Sequence, residues 1–366
     1  MATTRSSAAK TCRASRKSGR IGSSPDRVEG RIEGSDRTAD RVKGAAVREI
    51  GVNTWVWVSP LTDARLGELA DRARGFGFDL LELPVEHLHG WDAGAAAEAL
   101  AASDMGARIV GAMGPGRDLI DETARADTQD YLRHCVDVAV RVGSPTVAGP
   151  FTARTGRVWR MDADERAGVL ASLREALRPV AGYAAERGVA LAVEPLNRYE
   201  TSIINTVDQA LEALDPLLGD GIGLALDSYH LNIEERSPAA AIRAAGPHLR
   251  VMQVCGNDRG PVGGDHTDWN AILDALDEVS YTGPLTVESF TSDNDTIAVA
   301  ASVWRRLADS QDELARASAE FLGQLQRRRT GGAAAGTPAA AGTPAAADTP
   351  AAAGAPAAEP SAKEQQ

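Results

Sequence analysis

Eight short apolar runs punctuate the middle of this chain, and they constrain its fold more than any other feature. They are Ile50–Val58, Phe78–Leu83, Arg108–Ala112, Thr146–Ala148, Val189–Val193, Ile222–Leu226, Leu249–Val254 and Leu285–Val287. Val, Ile and Leu dominate them without polar alternation, the pattern of strands covered on both faces. Amphipathic stretches of helical period separate them, among them Leu66–Arg74, Tyr131–Arg141, Glu165–Arg187, Val207–Leu214 and Ala271–Val279. Glycines such as Gly143 and Gly188 stand at helix-to-strand joints, where a left-handed cap ends a helix. This alternation over roughly 280 residues predicts a closed (β/α)8 barrel. An open doubly wound sheet is the alternative, but no GxGxxG follows the first run.

The two ends lack the pattern. Residues 1–45 are rich in Arg, Ser, Gly and Asp and poor in large apolar side chains, so they read as a disordered, basic and polar extension. No apolar segment follows their basic residues, which argues against a secretory signal. Residues 329–366 repeat Gly-Thr-Pro-Ala-Ala-Ala with variations, as at Gly336 and Gly342, and read as a disordered tail. Residues 46–328 are left as the barrel. The net charge of -12 disfavours a nucleic-acid partner. Cys12, Cys135 and Cys255 form no CxxC pair, which excludes a disulfide framework or thiolate zinc site and suits a cytoplasmic setting. No run of about 18 apolar residues is found, so no membrane partner is expected.

Three of the runs deliver an acid to their C-terminal end: Glu194 after Val189–Val193, Asp227 after Leu226 and Glu288 after Val287. An ionised carboxylate there is costly unless something binds it. In a barrel, these ends converge on one mouth. The residues expected at the mouth are Asn53, Trp55 and Trp57; Glu82; Glu194 and Glu200; Asp227 and His230; Gln253, Asn257, Asp258 and Arg259; and Glu288. Alternation sends at least one of Trp55 and Trp57 toward the axis, and Trp55 is the candidate for substrate contact. Carboxylates with a neutral amide or imidazole make an oxygen-rich site suited to Mn²⁺, with Mg²⁺ or Co²⁺ as alternatives. Structural readings compete at each position. Asp227 could cap the next helix, Gln253 could bond a strand end, Arg259 could lie on a surface loop, and both tryptophans could only pack the core. Asp265 and His266 read as structural or gating residues of a Gly-rich loop.

Five blocks carry a resemblance. They are Glu194-Pro195-Leu196-Asn197-Arg198-Tyr199-Glu200, Asp227-Ser228-Tyr229-His230, Asn257-Asp258-Arg259-Gly260, Gly263 to Trp269, and Val287-Glu288-Ser289-Phe290. Over about residues 48–325 the chain resembles the xylose-isomerase-like sugar isomerases and epimerases, most of all the ketose 3-epimerases of the tagatose and psicose type. The resemblance implies that Glu194, Asp227 and Glu288 hold a divalent metal, and that Glu194 and Glu288 are also the acid/base pair. It further implies that Glu200, His230 and Arg259 contact the sugar. Gln253 stands where those epimerases carry His and is read as a ligand through its amide oxygen. Gly256 stands where they often have Glu.

The implied reaction is C3 epimerisation of a free ketose through a metal-stabilised enediolate, with one glutamate on each face of C3. Other outcomes of the same chemistry are aldose–ketose isomerisation of the hydroxypyruvate isomerase type, and an inosose isomerase, dehydratase or keto-glycoside eliminase. A non-catalytic sugar-binding barrel is the reading from a different class. A nuclease of this fold needs a denser histidine set than the six present. The expected partner is a small sugar, and a homodimer or homotetramer is compatible with this reading.

Overall fold

The computed structural model describes residues 45–331, Asp220 excepted. The expected extension at 1–45, apart from its last residue, and the tail from 332 onward lie outside the described residues. Eight parallel strands close into a barrel in sequence order: β1 (Ile50–Asn53), β2 (Leu80–Val85), β3 (Gly106–Gly111), β4 (Thr146–Gly149), β5 (Ala190–Val193), β6 (Ile222–Asp227), β7 (Leu249–Val254) and β8 (Leu285–Val287). The ring is completed where β1 pairs with β8, with Ile50 opposite Leu285. All eight apolar runs therefore become strands, and the open sheet is set aside.

The first run differs most in extent, the others by two residues or fewer at either end. Strand pairing stops at Asn53 rather than continuing to Val58, because the Asn53 side chain accepts the Trp55 N–H at 2.9 Å and starts a 3-10 turn over Thr54–Val56. A capping side chain offers the backbone a partner that competes with the sheet ladder.

Helices α1 (Asp63–Gly75), α2 (Ala93–Ala102), α3 (Arg125–Val142), α4 (Ala163–Ala185), α5 (Val207–Leu214), α6 (Ser228–Glu234), α7 (Pro238–Ala245), α8 (Trp269–Glu278), α9 (Asp295–Ala300) and α10 (Gln311–Gly331) complete the described elements. The face of α1 that packs on the strands is Leu66, Leu69, Ala70 and Ala73, the spacing of one helical stripe. Helix α2 buries a shorter stripe, Ala96 and Leu100, from its alanine-rich sequence; Asp92 starts it by accepting the Ala95 N–H. Helix α10 runs through residue 328, where the sequence reading ends the barrel, to Gly331. It fastens the start of β1, since the Gln326 amide exchanges hydrogen bonds of 2.7 and 3.0 Å with the Arg48 backbone.

Alternation along the strands separates two apolar regions. Val147, Leu191, Val193, Leu224, Leu226, Met252 and Val254 join the main core between strands and helices. Ala148, Ala192, Ala225 and Val251, on the opposite faces of the same strands, form a separate small cluster at the barrel axis. Two residues further along from Ala192, Ala225 and Val251 on β5, β6 and β7, the same axial face carries Glu194, Asp227 and Gln253. An apolar plug of small side chains thus lies directly beneath the acidic layer.

Candidate active site

Strand register sets the polar layer. Asn53 pairs with Glu82 across β1 and β2, and Asp227 pairs with Gln253 across β6 and β7. Glu194 and Glu288 follow the last residues of β5 and β8, and backbone bonds hold both: the Glu194 N–H donates to Gly149 O and the Glu288 N–H to Val254 O, each at 3.0 Å. The Gly149 position tolerates no side chain. Its φ is 153°, and a Cβ there would lie 2.5 Å from Gly111 O.

Four carboxyl groups, Glu82, Glu194, Asp227 and Glu288, are buried in this layer with the single guanidinium of Arg259. Arg259 Nη1 bonds Asp227 Oδ2 and lies 3.1 Å from Glu288 Oε2. The turn at Gly256–Gly260 delivers it there. Arg259 has φ 69°, its N–H donates to Gly256 O at 2.9 Å, and the Gly256 N–H donates to Gly260 O at 2.9 Å. The turn closes tightly around Gly256, whose added Cβ would lie 2.8 Å from Pro261 O. The rings of Tyr229 and Phe290 flank the guanidinium at 4.2 and 4.8 Å from their centroids.

On the other side of the mouth, Asn197 orders two polar groups. Its Oδ1 accepts the Tyr199 N–H at 2.9 Å, which turns its Nδ2 toward Glu200 Oε1 at 2.7 Å. The Asn197 backbone N–H donates to His230 Nδ1 at 3.0 Å. That bond makes Nδ1 the acceptor of the neutral ring and leaves the hydrogen on Nε2. Burial and the nearby Arg259 push the His230 pKa down to about 4, so the ring is neutral. Its Nε2 lies 3.5 Å from Glu194 Oε1, and 3.1 Å from Arg259 Nη2 in a contact between two hydrogen-bearing nitrogens.

The acids are displaced from ordinary behaviour. Burial, reinforced by Asp227, raises the Glu194 pKa well above the usual carboxylate range. Burial also raises Glu288, against the pull of Arg259. Glu82 is pushed up to about 7 by burial, with hydrogen bonds from Gln253 and Asn53 opposing. Such displaced carboxyl groups gathered in one layer mark a reaction centre more often than a structural one.

Side-chain atoms of Glu194, Asp227 and His230 lie within 4.8 Å of one another and could hold a metal ion. With its hydrogen on Nε2, however, His230 presents a donor, not a lone pair, to the two carboxylates. Glu194 Oε1 and Gln253 Oε1 are both buried without a hydrogen-bond partner. Oxygen atoms left unpaired among carboxylates fit a hard divalent cation.

Most of the site residues singled out in the sequence lie in or beside this mouth, but Trp57 turns to α10 and Asp258 pairs with Arg305 at the surface. Glu194, Asp227, His230, Gln253, Arg259 and Glu288 are all buried. Asp227 also caps α6, accepting the Tyr229 N–H at 2.9 Å, the structural role its position allowed. Glu200 is tied to the site by the hydrogen bond it accepts from Asn197 Nδ2. Trp55 is half-buried and meets Phe290 edge-on at 6.4 Å, while Trp57 is buried and bonds Asp312 on α10. Asp265 and His266 bond their own loop and Asn232, a structural arrangement. The sequence assigned no role to Asn53, Glu82, Asn197, Tyr229, Cys255 or Phe290. The Cys255 thiol lies 3.7 Å from Asp227 Oδ1 and 3.7 Å from Arg259 Nη1. Period-two alternation from Gln253 was the available signal for Cys255, and position inside the recognised blocks was the signal for Asn197, Tyr229 and Phe290.

The model of the xylose isomerase-like TIM barrel family matches residues 70–325. The chain belongs to that family. Within the family it is similar to a ketose 3-epimerase of Arthrobacter globiformis, 29% identical over 77% of this chain and 98% of the relative. An L-ribulose 3-epimerase of Mesorhizobium japonicum is 31% identical over 75% of this chain and 93% of the relative. The crystal structure of a D-allulose 3-epimerase from Methylomonas sp. in complex with D-allulose superposes with a TM-score of 0.69, at 29% identity, over 76% of this chain and 96% of that one. By this kinship the chain is an isomerase-class enzyme similar to ketose 3-epimerases. Among the described residues no helix is long and apolar enough to cross a membrane.

Proposed function

We propose that this enzyme epimerises a free ketose at C3, with Glu194 and Glu288 as its acid and base. The observation that carries the reading is the pair of buried carboxyl groups, Glu194 and Glu288, that directly follow β5 and β8 at one mouth of the barrel. A general acid or base works best when its pKa lies near the working pH. The relatives named for 3-epimerase activity support the same reaction class.

Glu194, Asp227, Gln253 and Glu288 would hold a divalent cation, Mn²⁺ in preference to Mg²⁺ or Co²⁺, through oxygen atoms. Such an ion supplies positive charge opposite the two oxygens of an enediolate. One glutamate, ionised, removes the C3 proton; the C3–H electrons move into a C2–C3 double bond and the carbonyl oxygen gains charge. The other glutamate, protonated, returns a proton to the opposite face of C3. The protonation states of the pair are then exchanged, ready for the reverse reaction. His230 donates from Nε2 to a sugar oxygen, and its fixed tautomer keeps that donor in place. Glu200 and Arg259 bind further hydroxyls, and Trp55 with Phe290 forms an apolar side to the pocket. Arg259 is already bonded to Asp227 and Glu288, which favours an unphosphorylated sugar over a phosphate ester. The same reading places the enzyme in the cytoplasm, as a homodimer or homotetramer.

Aldose–ketose isomerisation is the second reading, and Gln253 favours it because the third ligand position departs from the epimerase pattern. Incubating a panel of ketoses with Mn²⁺-loaded enzyme in D₂O separates the two. Epimerisation places deuterium at C3 of a ketose product. Deuterium at C1 or C2 with an aldose formed would overturn the epimerase reading, and no turnover of any ketose would leave a sugar-binding barrel.

A further inference from the structure

Glu82 carries a fully buried carboxyl group whose role the chemistry above does not explain. It lies inside β2, where a leucine would fill the space without a desolvation penalty. It also reaches across the barrel. Glu82 Oε2 accepts the Gln253 Nε2 hydrogen at 2.9 Å and the Asn53 Nδ2 hydrogen at 2.8 Å. Gln253 lies on β7, and β1 and β8 stand between it and β2.

These contacts decide which way the Gln253 amide faces. A second carboxylate oxygen, Glu288 Oε1, lies 3.0 Å from the same Gln253 nitrogen. Two carboxylate oxygens around one end of the amide demand its NH₂ group there, because an amide oxygen would face two acceptors. The amide oxygen is therefore turned to the other side, where Gln253 Oε1 is buried without a partner. Asn53 cannot reverse the arrangement. Its own Oδ1 is committed to the Trp55 N–H, which leaves its Nδ2 for Glu82. Glu82 Oε2 accepts in either protonation state, since a proton on this carboxyl would sit on Oε1, which has no partner.

We propose that Glu82, held by Asn53, is a positioning residue that turns the Gln253 amide so that its oxygen is presented to a divalent cation. The inference rests on the proposed function, which makes Gln253 a ligand. A glutamine can offer a cation its oxygen or repel it with its NH₂ group, and nothing in its own stereochemistry chooses between the two. A histidine at this position would not need the choice made for it. Glu82 and Glu288 Oε1 make it together, and Glu82 is the one of the two that is not itself a proposed ligand.

Mn²⁺ affinity, read by titration calorimetry and by the loss of the free-ion electron paramagnetic resonance signal, tests the proposal without recourse to turnover. Glu82→Leu should weaken Mn²⁺ binding by about 10- to 100-fold, the usual range for a lost partner of a ligand. Glu82→Gln keeps an acceptor for both amides and should stay within about threefold of the parent. In a Gln253→Leu background the Glu82→Leu change should have no further effect on affinity, since the group it orients is gone. Equal affinities for Glu82→Leu and the parent, or full additivity with Gln253→Leu, would overturn the proposal.

Where Glu82→Leu does not fold, the parent enzyme answers by nuclear magnetic resonance with Mg²⁺. The Gln253 side-chain carbonyl carbon should shift on Mg²⁺ addition while its NH₂ hydrogens stay protected from exchange. An unmoved carbonyl, or NH₂ protection lost on binding, overturns the positioning role. A parent enzyme that binds neither ion overturns the metal-site reading itself, which distinguishes the two failures.

Discussion

Replacing Glu288 by Gln removes one charge and one proton acceptor while keeping the side chain's shape. The structure sets the size of both consequences. Glu288 Oε1 faces the NH₂ groups of Gln253 at 3.0 Å and Asn53 at 3.4 Å, and Oε2 faces Arg259 Nη1 at 3.1 Å. All three neighbours are donors, so the new amide must turn its own NH₂ against one side. One charge-assisted bond is lost, a cost of about 1.5–3 kcal/mol. Against this, the variant no longer buries a charge that the protein disfavours, as the upward shift of the Glu288 carboxyl shows. The net change in stability should fall within about 2 kcal/mol, or roughly 4–8 °C in Tm for a domain of this size. Turnover should fall much further. Loss of a general base costs on the order of 10²–10⁴-fold, equivalent to about 3–5 kcal/mol in the barrier. Chromatography of ketose mixtures measures epimer formation, and incubation in D₂O measures exchange at C3 through Glu194 alone. The variant is expected to exchange the C3 proton of one epimer while forming the other at a small fraction of the parent rate. Epimer production near the parent rate by a folded Glu288→Gln protein would refute the two-base assignment.

Asp227→Asn should lower Mn²⁺ affinity by more than about 100-fold, beyond what outer-sphere changes cost, while the Asn oxygen still accepts the Tyr229 N–H that starts α6. Undiminished metal content by elemental analysis would remove Asp227 from the ligand set. In the metal-free protein, Glu82 sits at about 7 against an ordinary 4.5, so the folded state keeps a proton that the unfolded chain releases between those values. Its contribution to stability is present below about pH 4.5 and lost as pH rises toward 7, by about 3 kcal/mol, and Glu82→Gln should flatten that part of the urea-melt profile. A profile with the same slope in both proteins would contradict it. Gly149→Ala forces a Cβ to 2.5 Å from Gly111 O and 2.7 Å from the Phe151 ring, at φ 153°. Overpacking of this kind should lower Tm by roughly 4–10 °C in a circular-dichroism melt, and an unchanged Tm would show that the strand end yields.

The sequence by itself determined the barrel and the place of its chemistry. Buried strands in a parallel sheet need apolar side chains on both faces, so β2, β5, β6, β7 and β8 announce themselves without their partners. An acid directly after such a strand is conspicuous for the same reason, which is why Glu194, Asp227 and Glu288 were legible. The end of β1 was not, because the Asn53 side chain competes locally with the sheet for the Trp55 N–H, and apolar residues run on through Val58 regardless.

Only the tertiary structure decided what the polar groups do to one another. Asn197 N–H to His230 Nδ1 joins the loop after β5 to α6 and selects a tautomer; Glu82 to Gln253 spans the barrel and selects an amide orientation. Arg259 could have been a surface arginine until the Gly256–Gly260 turn folded it beneath Tyr229 and Phe290 onto two carboxylates. Strand periodicity encodes which face a side chain takes, because that depends on its neighbours along the chain. Hydrogen-bond partners and displaced carboxyl groups depend on closure of the ring, which brings residues as distant as Glu82 and Gln253 within 2.9 Å in a space that excludes water.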